Sequence, residues 1–227
     1  MEMKNGYDVS EKAYKWWYDN IASRYYNLNV AYCFLPFGGE KKARAGLIDE
    51  VTFRPGERIL DMCCGTGNAT FITAEKAPAD VRITGLDLSA GQIRVATRKN
   101  RFPNADFIVA EATSTDFPDC AFDKVFIPHA VHEMFHDLRM RVLQEARRVL
   151  RDGGQLIVLE LDSPDGLLLR LLSGLWLFYW LPFNFETQTR REMLRIGLGN
   201  EVREAGFRNV TKTWKHRGLF QVVTGEK

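Results

Sequence analysis

Residues 59–70, Ile59-Leu60-Asp61-Met62-Cys63-Cys64-Gly65-Thr66-Gly67-Asn68-Ala69-Thr70, constrain this chain more than any other stretch. A short apolar run ends in a carboxylate and breaks into a glycine turn that leads into a helix. Gly65 and Gly67 lack the Cβ atoms that would hold a ligand off the backbone, and the N–H groups at the start of the next helix favour a negatively charged or electron-rich group. A second apolar run, 81–86, ends in Asp87, about where a Rossmann-like unit places the acid that grips a ribose diol. The pattern is that of a strand–turn–helix cradle for a nucleoside. A dinucleotide fingerprint, Gly-x-Gly-x-x-Gly, would need a third glycine at position 70, where Thr70 stands.

The form Asp61-x-x-x-Gly65-x-Gly67, followed by Gly85-Leu86-Asp87-Leu88-Ser89, resembles the first two motifs of class I S-adenosylmethionine-dependent methyltransferases. Three further stretches keep the order and spacing of that family. Val109-Ala110-Glu111-Ala112 resembles the end of its third strand, 122–127 its fourth strand, and Arg148-Val149-Leu150-Arg151-Asp152-Gly153-Gly154 the turn before its fifth. The resemblance spans roughly residues 55–162. It implies S-adenosylmethionine as cofactor. The turn Asp61, Cys63, Gly65, Thr66, Gly67 and Asn68 would wrap its methionine part, Asp87 and Leu88 its ribose, and Glu111 and Ala112 its adenine.

Bulk properties set limits around this core. With 227 residues, 45% hydrophobic and 26% charged, the chain has the composition of one globular catalytic domain with additions. Thirty-one Lys and Arg against 29 Asp and Glu give a net charge of +2, which supplies no broad basic field for a phosphate backbone, so no nucleic-acid partner is expected. The four cysteines, Cys33, Cys63, Cys64 and Cys120, lack ligand-like spacing and read as free thiols. The first residues show no charged segment followed by an apolar core, as a secretory signal would. Both readings point to the cytoplasm.

Alternating apolar runs and helical patterns divide the chain. Strands are expected at 58–62, 82–87, 106–110, 124–127 and 155–160, with helices at 69–76, 90–100 and 137–150. A last helix at 201–206 precedes strands at 208–216 and 219–224. This rhythm predicts an α/β, Rossmann-like, seven-stranded and mostly parallel sheet with helices on both faces and a closing antiparallel hairpin. Residues 1–50 would form a helical N-terminal lid, with a helix at 41–51, and residues 51–227 the methyltransferase domain. Tyr18-Asp19-Asn20-Ile21-Ala22-Ser23-Arg24-Tyr25 resembles the opening motif of small-molecule and lipid methyltransferases, which makes Tyr25 a candidate to close over the methyl donor and Phe34 a candidate acceptor contact.

The loop after the fourth strand carries His129, His132 and His136. His132-Glu133-Met134-Phe135-His136 matches His-Glu-x-x-His, a zinc pattern when it lies within one helix. Here it follows a strand in the loop where a methyltransferase holds its acceptor, and no metal is assigned. Imidazole, with an ordinary pKa near 6.5, suits proton removal at neutral pH, so His129 and His132 are candidate bases as well as acceptor contacts. A purely structural use of the loop stays open.

A leucine- and aromatic-rich run at 167–185 lies within an expected acceptor-cover insertion at about 163–195. It approaches the about 20 apolar residues of a membrane span, yet Arg170 interrupts it and Pro182 breaks its end. An apolar acceptor is the expected partner, with Trp176 and Trp180 lining its site. The same run suits peripheral contact with a membrane surface, and equally a core helix or a homodimer contact. Within the family, the opening motif, Gly85 to Ser89 and Val158-Leu159-Glu160 are similar to the C-methyltransferases of ubiquinone and menaquinone biosynthesis, which would make the acceptor quinone-like or lipid-like. Those enzymes carry an Arg-Asn pair where this chain has the histidine cluster. The readings from other classes are a non-catalytic nucleotide-binding or interaction module and a zinc hydrolase.

Overall fold

The apolar runs that end in acids or glycines become the strands of one sheet. The computed structural model describes residues 16, 19–20, 31, 34–49, 51–164, 166, 171 and 186–227. A 3-10 turn at Leu35–Phe37 leads into α1 (Glu40–Leu47), then β1 (Arg58–Met62), α2 (Asn68–Lys76), β2 (Arg82–Asp87), α3 (Ala90–Lys99), β3 (Ala105–Val109) and β4 (Phe122–Pro128). A second 3-10 turn, Val131–Glu133, precedes α4 (His136–Val149) and β5 (Leu150–Leu161). Within the expected cover insertion at about 163–195 lies α5 (Glu186–Ile196), followed by α6 (Leu198–Glu204), β6 (Arg208–Lys215) and β7 (Phe220–Glu226).

The seven strands run in the order β3-β2-β1-β4-β5-β7-β6. The first five are parallel, while β7 pairs antiparallel with β5 and with β6. β1 has β2 on one side and β4 on the other, so the chain order reverses between β1 and β4. Open α/β sheets bind ligands in the crevice at the carboxyl ends of such a pair. Asp61 at the end of β1 and Pro128 at the end of β4 flank it.

The central strands read as near-continuous apolar runs because both faces are covered. Alternate residues serve separate cores. Leu60, Met62, Val125, Ile127, Leu156 and Val158 pack with Val142, Leu143, Ala146 and Val149 of α4 and with Met193 of α5. Ile59, Ile83, Phe126 and Ile157 pack with Ala43 and Leu47 of α1 and Ile72 of α2.

Element positions follow the expectations closely, with differences that have local causes. α1 stops at Leu47 rather than reaching Val51. β5 begins at Leu150, which pairs with Phe122 across a register shift, so the glycine turn lies inside the strand. Gly154 is obligatory there because a Cβ would lie 2.8 Å from the Arg151 carbonyl. α5 was not expected: a charged, low-hydropathy sequence hides it, although Thr189 and Met193 are buried. The N-terminal lid before Phe34 and the apolar part of the cover lie almost wholly outside the described residues, as do Tyr25, Cys33, Trp176 and Trp180.

A buried ion pair ties α6 to α4. Arg139 of α4 and Glu201 of α6 are both fully buried, with Arg139 Nε and Nη2 donating to the Glu201 carboxylate at 2.9 and 2.6 Å. Arg139 Nη1 donates to the Met134 carbonyl, and its Nη2 lies 3.5 Å from Glu192 of α5. Removing one partner strands a charge in the core, which costs about 3–5 kcal/mol, whereas apolar replacement of both is close to neutral. Arg139→Met is therefore expected to lower the urea-unfolding free energy by that amount, and Arg139→Met with Glu201→Leu to recover most of it. Equal losses in the single and double variants would contradict this account.

Candidate active site

The glycine turn is held from the neighbouring strand. Cys63, Gly65 and Gly67 take positive φ angles of 61°, 57° and 80°, and Gly67 starts α2. A Cβ on Gly67 would lie 2.9 Å from the Phe107 ring, and one on Gly85 of β2 would lie 2.8 Å from the same ring, so Phe107 of β3 packs where these two positions carry no side chain. Gly65 N donates to Asp87 Oδ2 at 2.9 Å and Ser89 N to Asp87 Oδ1 at 2.9 Å. Burial raises the Asp87 pKa, and those two N–H donors offset part of the rise. Ser89 Oγ caps α3 by accepting from Gln92 N, and donates to Asp19 Oδ1 at 2.6 Å, an atom that also accepts from Gly91 N at 3.0 Å. Asp19 thus sits beside the turn that follows Asp87. It fits because Gly91 has no Cβ, which would lie 2.6 Å from the Asp19 carbonyl.

Asp61 is buried, with Thr70 Oγ1 donating to its Oδ2 at 2.5 Å and no partner for Oδ1 among the described residues. Thr70, which breaks the dinucleotide fingerprint, serves here as the hydrogen-bond donor to this acid. Desolvation pushes the Asp61 pKa up to about 7 from an ordinary 3.8, against lowering by Thr70 and the Arg44 charge. The thiols of Cys63 and Cys64 are raised well above their ordinary value by burial and by the Asp61 and Asp87 carboxylates.

The histidines part company in space. His129, at φ 53°, has its ring edge-on to Phe34 and Phe220, at centroid separations of 5.9 and 5.5 Å. Its Nε2 is buried without a partner, and burial with the Arg44 charge holds its pKa well below the usual imidazole range. His132 lies in the 3-10 turn; its backbone N donates to Oε2 of the fully buried Glu160 at 3.2 Å, and its Nδ1 lies 2.8 Å from Glu160 Oε1, outside hydrogen-bond geometry. The Thr189 hydroxyl of α5 donates to the His132 carbonyl at 2.6 Å. His136 starts α4 and its Nδ1 lies 3.0 Å from Glu201 Oε1. The His-Glu-x-x-His match is therefore split between a turn and the next helix, its two imidazoles sitting on different carboxylates. Among the described residues no group of three His, Cys, Asp or Glu side chains is placed to hold a metal. His216, distant in sequence, joins the His129 aromatic cluster through Phe37 and Phe220.

Other expected site residues sit as follows. Thr66 is buried in the turn, and Asn68 donates to Glu40 Oε1 at 2.7 Å and accepts from Lys99 Nζ at 2.6 Å. Leu88 is half-buried beside Asp87, Ala112 is buried, and Glu111 is exposed and accepts from the Thr113 hydroxyl. Phe34 is 7% exposed, packed on Phe220 and beneath the Arg44 guanidinium. Sequence reasoning assigned no role to Glu160, although an acid at the carboxyl end of a parallel strand was the signal used for Asp61 and Asp87. It also passed over Arg44, whose sequence context looks like any helix surface.

A family model, the ubiE/COQ5 methyltransferase family, matches residues 7–187. The chain belongs to this family. It is 30% identical to an uncharacterised methyltransferase of Synechocystis over 92% of this chain and 91% of that protein. It is 35% identical to a demethylmenaquinone methyltransferase of Thermotoga maritima over 73% of this chain and 69% of that one. Solved structures share the fold. A possible histamine N-methyltransferase of Thermotoga maritima superposes with a TM-score of 0.64 at 22% identity, covering 93% of this chain and 99% of that one. The Haemonchus contortus phosphoethanolamine N-methyltransferase 2, in complex with S-adenosylmethionine, gives 0.67 at 14% identity, covering 94% of this chain and 60% of that one. The ubiE/COQ5 family member described here is an S-adenosylmethionine-dependent methyltransferase. Its residues fit that donor: the buried Asp61 Oδ1 at the turn has no hydrogen-bond donor among the described residues and can take one from the ligand.

In this member the free carboxyl of Asp61 makes folding pH-dependent. Between an unfolded value near 4 and a folded value of about 7, the folded state keeps a proton that the unfolded chain has released. Its contribution to stability is full below pH 4 and lost as pH rises through 7, by at most about 4 kcal/mol at about 1.4 kcal/mol per pH unit. Asp61→Asn should flatten that part of the stability profile and exceed the wild type above pH 7, as thermal melts without ligand would show. An unchanged profile would mean that Asp61 ionises normally.

Proposed function

We propose that this ubiE/COQ5 family member methylates a small apolar acceptor, quinone-like or lipid-like, whose accepting atom carries a proton, and that His132 removes that proton. The observation that carries this reading is the His132 Nδ1 to Glu160 Oε1 contact of 2.8 Å. A buried carboxylate 2.8 Å from Nδ1 favours the proton on that nitrogen, which leaves Nε2 as the basic one, and it stabilises the imidazolium that forms. His129, held well below the ordinary imidazole range, is the weaker base of the two. The relatives named for demethylmenaquinone support a quinol-type ring, whose hydroxyl or ring position is acidic enough for such a base.

When bound, the donor supplies a methyl group on a sulfonium, transferred by in-line displacement with a neutral leaving group. The chain's task is then alignment, proton removal and exclusion of water. Asp87 and Leu88 would hold the ribose, the turn from Cys63 to Asn68 the methionine part, and Glu111 with Ala112 the adenine. Tyr25, in the N-terminal lid, would close over the donor.

His132→Gln should leave the dissociation constant for S-adenosylmethionine within about twofold and lower kcat on reduced demethylmenaquinone about a hundredfold or more. Glu160→Gln should lower kcat more than it raises KM and shift the acidic limb of the pH–rate profile, with Glu160→Asp restoring part of the rate. Full activity in His132→Gln would remove the base assignment. Absence of methylation of any quinol or phenol in a panel would remove the acceptor class.

The apolar run 167–185 supports a further element of this reading, an acceptor cover that touches a membrane surface. Trp176, Tyr179 and Trp180 are amphipathic rings suited to the headgroup level, and Arg170 can snorkel towards water. Among the described residues no helix is long and apolar enough to cross a membrane. Reversible binding to liposomes, weakened when Trp176 and Trp180 are changed to Ser with donor affinity kept, is the expected result. A double variant that unfolds would return the rings to the core.

A further inference from the structure

Where the 3-10 turn meets α4 the backbone changes direction, and neither set of turn bonds takes up the His132 carbonyl or the His136 N–H. Met134 N donates to the Val131 carbonyl and closes the turn, while the ladder of α4 opens with Leu138 N and Arg139 N donating to the Phe135 carbonyl. The first N–H groups of a helix find no carbonyl within it, and Phe135, at the head of α4, supplies no side-chain cap. The two backbone groups on either side of this break are both met by α5.

Thr189 Oγ1 donates to the His132 carbonyl at 2.6 Å, and Glu192 Oε2 accepts from His136 N at 2.9 Å. Three residues apart, Thr189 and Glu192 share one face of α5. Thr189 is buried, and Met193 next to Glu192 belongs to the core beneath α4. Glu192 also lies 3.5 Å from Arg139 Nη2, and Arg139 Nη1 donates to the Met134 carbonyl, so a third backbone group of the break is tied to the same helix. From the opposite side, Glu160 Oε2 accepts from His132 N at 3.2 Å. The peptide groups flanking His132 are thus held by two elements, β5 at the N–H and α5 at the carbonyl. Apolar packing through Met193 would seat α5 without a hydroxyl and a carboxylate aimed at this break, and burying a hydroxyl is costly unless it is bonded.

We propose that Thr189 and Glu192 are positioning residues for methyl transfer: through the His132 carbonyl and the His136 N–H, α5 fixes the path of the backbone that carries the His132 imidazole. The catalytic part of this inference rests on His132 being the base. Misplacing a reacting group by about 1 Å costs about a hundredfold in rate, so the hold on the backbone matters as much as the identity of the ring. Because α5 lies within the expected acceptor-cover insertion, the stretch of chain that covers the acceptor also places the group that takes its proton.

The test joins amide hydrogen exchange to kinetics. In the wild type the His136 amide should exchange at least about a hundredfold more slowly than an unfolded-chain amide. Thr189→Val, which keeps the shape and removes the donor, and Glu192→Ala should each speed exchange across residues 132–136 at least about tenfold while β4 and β5 keep their rates. With reduced demethylmenaquinone, Thr189→Val should lower kcat at least about tenfold, with KM and the dissociation constant for S-adenosylhomocysteine within about twofold, and Thr189→Ser should restore most of the rate. In a His132→Gln background Thr189→Val should cost nothing further. A freely exchanging His136 amide in the wild type overturns the proposal whether or not the variants fold. So does a Thr189→Val protein with unchanged exchange, or one whose kcat falls alike with and without His132. Exchange that responds to both variants, together with full activity of His132→Gln, would instead bring down the base assignment and leave the hold of α5 on the turn standing.

Discussion

Asp87 accepts from Gly65 N and from Ser89 N, one oxygen to each, and the ends of β1 and β2 are joined through that carboxylate. A glycine turn with positive φ at three positions has many alternative conformations open to it. The acid across the strand boundary selects one, and Phe107 presses it into place from β3. Ser89 then hands the same anchorage to Asp19, so Asp19, the glycine turn and the start of α3 share a single electrostatic hub. Preorganisation of this kind is set before a ligand arrives, which lowers the ordering cost of binding.

A second hub lies below the histidine turn. Glu201 takes both Arg139 and His136, Glu160 takes His132, and α5 reaches in through Thr189. Each of these carboxylates is fully buried. The turn that carries the candidate base is therefore fastened at both ends by charge-assisted contacts rather than by apolar packing alone. A base that must sit within hydrogen-bond reach of its substrate benefits from such a mount.

Much of this architecture was legible because it is written locally. Strand ends marked by Asp61 and Asp87, the glycines between them and the alternation of apolar runs with amphipathic helices all lie within a few residues of one another, and each became the expected element. What escaped was carried by long-range pairing. Glu160 stands 28 residues from His132, and Glu201 62 residues from Arg139, and no periodicity links them. Arg44 looks like any surface arginine until Phe34 and Glu40 close around it. α5 was obscured by its charge, since only the few residues that meet the core, such as Met193, betray its inner face. The zinc-like match is the converse case: its spacing holds in the sequence, but the backbone turns between its two histidines.

The adjacent cysteines of the glycine turn have a consequence for the chemistry around them. Their sulfurs are kept in the SH form by burial and by two neighbouring carboxylates, and it is the thiolate that acts as nucleophile. Electrophilic rings, oxidised quinones among them, capture thiolates by conjugate addition. Sulfur held in the SH form is a poor nucleophile, so the two thiols that close the turn are shielded from such electrophiles.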